Sequence, residues 1–319
     1  MALSTEVLQR LAGAAFPEAR LIAQQPLPPG VGKSNYWLQL QSPTAEVVLR
    51  LYSVDAPRHQ IDKEMHVLRV VMPETGVPTR RVIHFDGSHS LIDRPFALLN
   101  HLPGEPLDEV LPRMDDLDQE AVGYELGRYL AKLHHAPLDR FGEFFGADSA
   151  VSGDEKGYTL SRLADWLAEC QANSLLTSSL AAEIQRQVAQ AQALDRARAC
   201  LVHGQFYGGN ILVEAGVAGF HVTAVLNLER AQGWSPEWDM AGLAVYVLDD
   251  RPAMAKGFFD GYTDAAALPD HFWQRMSLYR LLVSLWGLVE AHRRGDLASR
   301  EAHVAGVHRS LAKGKEGQP

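Results

Sequence analysis

Hydrophobic and polar positions change their period near the first third of the chain. In the first third of the chain, short apolar runs bounded by Pro, Gly or Asp-Gly read as strands: Tyr36–Gln41, Glu46–Tyr52, Val77–Asp86 and the run from Pro95 that stops at Pro103-Gly104. Two stretches there carry helical spacing instead. Ser4–Ala14 has Ser4 as an N-cap, with Val7, Leu8 and Leu11 on one face. Pro57–Val71 places Ile61, Met65, Leu68 and Val71 on an apolar face with Glu64 beside it. Leu27–Asn35, which contains Pro-Pro-Gly and Gly32, reads as a turn-rich segment. Beyond residue 100 helical spacing dominates: Leu117–His135, Leu160–Asn173, Leu180–Arg196, Ala253–Thr263, Asp270–Arg294 and Ser299–Leu311. One island of strand pattern interrupts the helices, in which Ile211–Val213 and Val222–Leu226 flank a hairpin around Glu214–Gly219. Lys313–Pro319 reads as a mobile tail.

Composition narrows the partners. A formal charge of -9 disfavours a nucleic-acid partner and leaves a cationic small molecule open. The two cysteines, Cys170 and Cys200, have no metal-ligand spacing and are expected as buried thiols of a cytoplasmic protein. No basic region followed by an apolar core opens the chain, so no signal peptide is expected. The most apolar helix, Leu278–Val289, is too short and too interrupted to span a bilayer, so no membrane partner is expected either.

The densest chemistry lies in Leu201–Glu229. His203-Gly204-Gln205 begins a glycine-rich turn that ends at Asn210, and the second strand runs out at Asn227-Leu228-Glu229. Polar side chains at the ends of a tight hairpin are a common way to assemble a phosphate site. Gly32-Lys33-Ser34 invites a P-loop reading, but that motif needs a glycine where Leu27 stands and a helix where a strand pattern follows.

The run from His203 to Glu229 resembles the aminoglycoside phosphotransferase and choline kinase group, which shares the protein-kinase fold. That group reads His-Gly-Asp, then Asn, then an Ile-Asp-x-Glu segment after a short hairpin. His203, Gly204, Asn210 and Glu229 match. Gln205 stands in place of the catalytic aspartate, and Asn227 in place of the metal-binding aspartate. The resemblance extends from Gly30 to Ala241. It implies an α+β, protein-kinase-like bilobal fold: a nucleotide-binding lobe over residues 1–100 with an antiparallel sheet and one helix, and a helical lobe over 101–319. It makes Gly30, Gly32 and Ser34 a phosphate-facing loop, and Arg50 and Glu64 a phosphate clamp. Leu99 to Leu102, before Pro103-Gly104, become the hinge that meets the purine. His134 and Asp239 are expected to be structural, Asp239 as a brace of the catalytic loop. Trp273, Tyr279, Trp286 and Glu290 become candidates to line an acceptor pocket.

The implied ligands are ATP or GTP, Mg2+ held by Asn210, Asn227 and Glu229, and a small hydroxylated acceptor, cationic ones included. Gln205 can orient a hydroxyl but cannot take its proton, and Asn227 offers magnesium a neutral oxygen. Two readings follow: a phosphotransferase strongly impaired as written, or a non-catalytic binding protein on the kinase fold.

Overall fold

The structure is a computed structural model that describes residues 3–30, 32–143, 145, 151–196 and 198–315. It divides into two compact units: residues up to Gly104 together with Thr223–Glu229, and Glu105–Val222 together with the chain from Arg230. The first division falls four residues beyond the expected boundary, and a seven-residue segment returns to the first unit.

The first unit opens with α1 (Thr5–Gly13), capped by the Ser4 hydroxyl accepting the Val7 N–H. Five strands follow, β1 (Arg20–Gly30), β2 (Lys33–Gln41), β3 (Ala45–Tyr52), β4 (Val82–Asp86) and β5 (Phe96–Asn100). They form an antiparallel sheet in the order β1-β2-β3-β5-β4. Alternation sorts the two faces. Leu38, Leu40, Leu49, Phe96 and Leu98 pack with Leu8 and Leu11 of α1 on one face. Lys33 and Asn35 lie directly opposite Tyr52 and Arg50, so these four share the other face. Between β3 and β4, α2 (Arg58–His66) runs through a wide turn at Val67–Val71 into α3 (Met72–Thr75), which ends at Gly76 in the left-handed region.

Two expectations for this unit need correction. Leu27–Asn35 is mostly strand: β1 runs to Gly30, β2 starts at Lys33, and Gly30 pairs with Lys33. β1 is an edge strand, where proline costs the ladder little. The strand expected over Val77–Asp86 begins only at Val82. Upstream, Pro78 accepts the Val225 N–H at 2.8 Å and the Thr79 hydroxyl donates to the Val225 carbonyl at 2.7 Å.

The second unit is mainly helical. Its elements are β6 (Glu105–Pro106), α4 (Leu107–Val110), α5 (Asp116–His134), β7 (Pro137–Leu138), β8 (Phe141–Gly142), β9 (Val151–Ser152), α6 (Glu155–Ala172) and α7 (Ser178–Gln190). After these come β10 (Ala199–Val202), β11 (Ile211–Gly216), β12 (Gly219–Val225, whose last three residues belong to the first unit), β13 (Gln232–Trp234), α8 (Glu237–Leu243), α9 (Pro252–Ala265), α10 (Phe272–Arg293) and α11 (Leu297–Lys315). Helix α11 covers the first three residues of the segment expected to be a tail, Lys313 to Lys315, and residues 316–319 lie outside the described residues.

Helices α5 and α9 touch backbone to backbone. A Cβ at Gly123, Gly127, Gly257 or Gly261 would fall well inside 3.0 Å of a carbonyl oxygen on the facing helix. That close approach fixes α5, whose last residue His134 reaches the Asp239 carboxylate described below. No helix among the described residues is long and apolar enough to cross a membrane.

Candidate functional site

The chemistry-bearing residues of the first unit gather on the sheet face opposite α1. Arg50 projects from β3, pairs with the Glu64 carboxylate of α2 and is itself nearly fully buried. Its Nε also donates to the Asn35 Oδ1 at 3.1 Å, from the position directly across in β2. The Tyr52 hydroxyl donates to Glu64 Oε2 at 3.1 Å. Burial opposes the charge on Arg50, but Glu64, Tyr52 and Glu229 outweigh it and raise its pKa above the ordinary value. For Glu64, burial is likewise outweighed, by Arg50 and Lys33, and its pKa falls. The same burial, with Glu64 alongside, drives the Tyr52 phenol well above its usual range.

Lys33 and Arg80 belong to this cluster and were missed as site residues. Lys33 Nζ donates to Glu64 Oε2 at 2.8 Å and lies 3.5 Å from Glu229 Oε2. The signal was in the sequence: Lys33 and Asn35 on one strand, Arg50 and Tyr52 on the next, form a two-residue alternation of polar side chains on one face. Burial and then the nearby Arg50 charge lower the pKa of Arg80 to about 10, and its Nε is buried without a hydrogen-bond partner. No periodic signal marked Arg80, which precedes β4.

Of the other expected residues here, Gly32 sits at φ 67 with open space around it, as a tight hairpin requires. Ser34 lies in β2 opposite Leu51. Leu99 is fully buried in β5, and Leu102 lies just past its end, half-buried. Asn227 has φ 63, a conformation asparagine tolerates better than most residues.

In the second unit, the loop after β10 is held from below. Asp239, fully buried on α8, accepts the His203 N–H at 2.6 Å and the Gly204 N–H at 2.9 Å. His134 Nε2 lies 3.3 Å from the same carboxylate, and its Nδ1 meets the Tyr262 hydroxyl at 3.1 Å. Gly204 has φ 83, and any Cβ there would collide with the Arg230 carbonyl. Trp238 Nε1 donates to the Gly204 carbonyl at 3.2 Å. The loop then brings two expected residues together, since Asn210 Nδ2 donates to the Gln205 carbonyl at 2.9 Å. Asp108 of α4 packs against Gly208; burial raises its pKa, against the pull of Arg251 and the Gly209 N–H.

Helix α8 is anchored in turn by Arg275. Its guanidinium bonds Glu237 at 2.6 Å and also pairs with Glu155, all three groups being buried. The expected acceptor-lining residues separate. Tyr279 is core, its hydroxyl donating to Glu155 at 2.7 Å. Glu290 pairs with Arg293 at 2.7 Å. Trp286 stands edge-on to Trp238 beside the Gly204–Tyr207 loop. Trp273 is exposed and lines a cavity of ≈ 380 Å³ with Leu248, Phe259, Met276 and Arg280.

The family model described as "Phosphotransferase enzyme family" (APH) matches residues 23–275. The chain belongs to that family. Mouse acyl-CoA dehydrogenase family member 10 is 24% identical to it over 303 residues, 86% of this chain and 27% of the mouse protein. The rat family member 11 is 25% identical, over 69% of this chain and 28% of its own length. The chain thus spans about a quarter of the curated relatives it matches. Among solved structures, the gentamicin complex of APH(2")-IIa superposes with a TM-score of 0.68 at 16% identity, covering 96% of both chains. A thermostable mutant of APH(4)-Ia in ternary complex with ADP and hygromycin B gives 0.68 at 14% identity, covering 98% and 99%. The fold of this APH-family chain is therefore that of the aminoglycoside phosphotransferases, with an antiparallel N-terminal sheet and a helical C-terminal region.

Magnesium fits this chain's residues badly. Hard divalent cations select carboxylate oxygens, whereas Asn210 and Asn227 offer neutral amides and Glu229 already faces the Lys33 ammonium. Among the described residues, no group of three or more His, Cys, Asp or Glu side chains could hold a metal ion.

Proposed function

We propose that this chain binds a nucleotide through the Arg50–Glu64 clamp and is a strongly impaired phosphotransferase, a pseudokinase as written, of the small-molecule kinase type. The observation that carries the reading is a braced loop with the wrong residue in it. Asp239 holds the His203 and Gly204 amides and Asn210 bonds the Gln205 carbonyl, while Gln205 stands where the family resemblance expects the catalytic aspartate. The solved neighbours with ADP and hygromycin B, or with gentamicin, support a nucleotide and a small hydroxylated acceptor as the two ligands.

Transfer forms a bond from the acceptor oxygen to the γ-phosphorus and breaks the bond to the β-phosphate oxygen, with the hydroxyl proton leaving. Gln205 can accept a hydrogen bond from that hydroxyl and orient it, but its amide cannot hold the proton. Losing a general base costs on the order of 10²–10⁴ in rate. A non-catalytic binding role is the second reading, favoured by the paired replacement at Gln205 and Asn227. Cys170 and Cys200 are both free and buried, which supports a reducing compartment such as the cytoplasm.

Calorimetric titration with ATP and GTP, followed by turnover assays with hydroxylated antibiotics and amino alcohols, tests the proposal. Saturable nucleotide binding with turnover near background is the expected result. Absence of binding at millimolar nucleotide sinks the nucleotide reading, and rapid turnover sinks the impairment.

A further inference from the structure

We infer that Lys33 serves as a built-in cation of the phosphate site, so that this chain binds a nucleotide's polyphosphate without a divalent metal ion. The inference rests on the nucleotide reading above and specifies how the charge of that ligand is met.

The geometry lies wholly within the first unit. Lys33 leaves the start of β2, immediately after the Gly32 turn, and its side chain is 11% exposed. Its ammonium reaches Glu64 Oε2 at 2.8 Å and stands 3.5 Å from Glu229 Oε2. That second oxygen is buried and makes no hydrogen bond, so the lysine holds it by charge alone. An ammonium has three N–H donors; Glu64 takes one, Glu229 faces a second, and a third is left for a ligand oxygen. Glu229 is the one carboxylate among the three expected magnesium ligands. With a lysine already against it, the nearest full positive charge available to a phosphate belongs to the protein.

The charge balance of the cluster points the same way. Lys33, Arg50 and Arg80 supply three cations against the two carboxylates Glu64 and Glu229. The unmatched charge is costly where it is: Arg80 has a buried Nε with no partner and sits close enough to Arg50 to be repelled by it. An excess of cation held partly out of water is relieved by an anion. A di- or triphosphate brings the charge that Lys33 and the two arginines lack, with oxygens enough for ammonium and guanidinium donors together.

The test is calorimetric titration of ATP into the full chain, in EDTA and in excess magnesium, with Lys33→Met and the charge-preserving Lys33→Arg run alongside. Wild type is expected to bind in EDTA with a dissociation constant within about threefold of that in magnesium. Lys33→Met should bind at least tenfold more weakly in EDTA and recover part of the loss in magnesium, because Glu229 is then released. Lys33→Arg should stay within about threefold of wild type in EDTA. Binding by wild type only in magnesium overturns the inference while leaving the nucleotide reading intact. So does a Lys33→Met protein that binds in EDTA as tightly as wild type. No binding by any variant in either buffer overturns both. Should Lys33→Met fail to fold by thermal melting, the wild-type pair of titrations still decides.

Discussion

Asp239 accepts the backbone N–H of His203 at 2.6 Å across 36 residues of chain, deep in a site with no solvent exposure. One carboxylate thereby satisfies two adjacent amides, His203 and Gly204, that the turn at φ 83 leaves without strand partners. Such bonds to an ionised acceptor are stronger than neutral ones, and the loop carrying Gln205 and Asn210 inherits its shape from them.

Asp239→Asn should therefore destabilise the protein by about 2–4 kcal/mol, since the amide oxygen can accept only one of the N–H groups well and the NH2 opposes the other. Urea unfolding monitored by tryptophan fluorescence reads the change. The native signal itself is suited to the purpose, because Trp234 and Trp238 stack at 4.3 Å beside the loop. Stability within 0.5 kcal/mol of wild type, a shift too small for a lost buried bond, would remove Asp239 as the brace.

A second prediction concerns the α5–α9 contact. Gly127→Ala and Gly257→Ala each drive a Cβ into facing backbone, which cannot rotate away, and should cost about 3 kcal/mol or more. Gly13→Ala at the end of α1 meets nothing within 4 Å and should be neutral or stabilising by up to about 1 kcal/mol. The contrast between helix glycines, measured by thermal melts, separates close packing from helix propensity.

Much of this architecture was legible because period and burial agree. The apolar face of α5 and the consecutive apolar run of β3 both surfaced from spacing alone, and the loop from His203 to Asn210 was found by motif. What escaped was non-local. The prolines of β1 suggested a loop, since nothing in the sequence says that the strand lies at a sheet edge. Lys33 drew notice only within the P-loop reading, although its place opposite Tyr52 follows once the turn between β2 and β3 sets Leu40 opposite Ala45. The return of Thr223–Glu229 to the first unit depends on bonds to Pro78 and Thr79, nearly 150 residues away. The glycines of α5 and α9 looked like helix weaknesses until their partners were known.

The third prediction is an acid-side loss of stability. His303 is buried against Gly287 and bonded to the Tyr246 hydroxyl at 3.3 Å; burial, with help from Arg294, lowers its pKa to about 4. Its folded pKa lies below the unfolded value of about 6.5, so the unfolded chain binds the proton first. Stability is fully present above pH 6.5 and declines as pH falls toward about 4. Urea midpoints across pH 4–7 should show a smaller slope for His303→Gln than for wild type. Equal slopes would mean that the ring gains its proton in the folded state.

Glu64 sets the fourth. It is the shared partner of Arg50, Lys33 and Tyr52, and Glu64→Gln leaves buried cations without their carboxylate. Removing one member of a buried pair costs about 3–5 kcal/mol. The variant should melt earlier than wild type in the absence of nucleotide. A phosphate ligand binds the same cations, so added ATP should stabilise the variant at least as much as it stabilises wild type. A loss of stability with no ATP response in either protein would leave the cluster as a structural ion pair.

The last prediction restores the missing carboxylates. Gln205→Asp supplies a proton acceptor on a loop whose backbone is already held by Asp239, and Asn227→Asp supplies an anionic oxygen next to the Glu229 segment. Position 227 sits at φ 63, a conformation that aspartate also tolerates, so the exchange adds no backbone strain. Base and anionic ligand serve the same transition state, and their effects should be far from additive. Each single variant is expected to raise magnesium-dependent phosphorylation of a hydroxylated acceptor only slightly, whereas the pair should raise it by about 10²–10⁴ over the written chain. Hydrolysis of ATP by the double variant gives a readout that needs no acceptor, because a rebuilt site passes phosphate to water. If the unaltered chain already turns over as fast as the double variant, Gln205 suffices as it stands and the impairment reading fails. If the double variant gains neither transfer nor hydrolysis while still binding ATP, the loss of activity lies elsewhere than in these two amides.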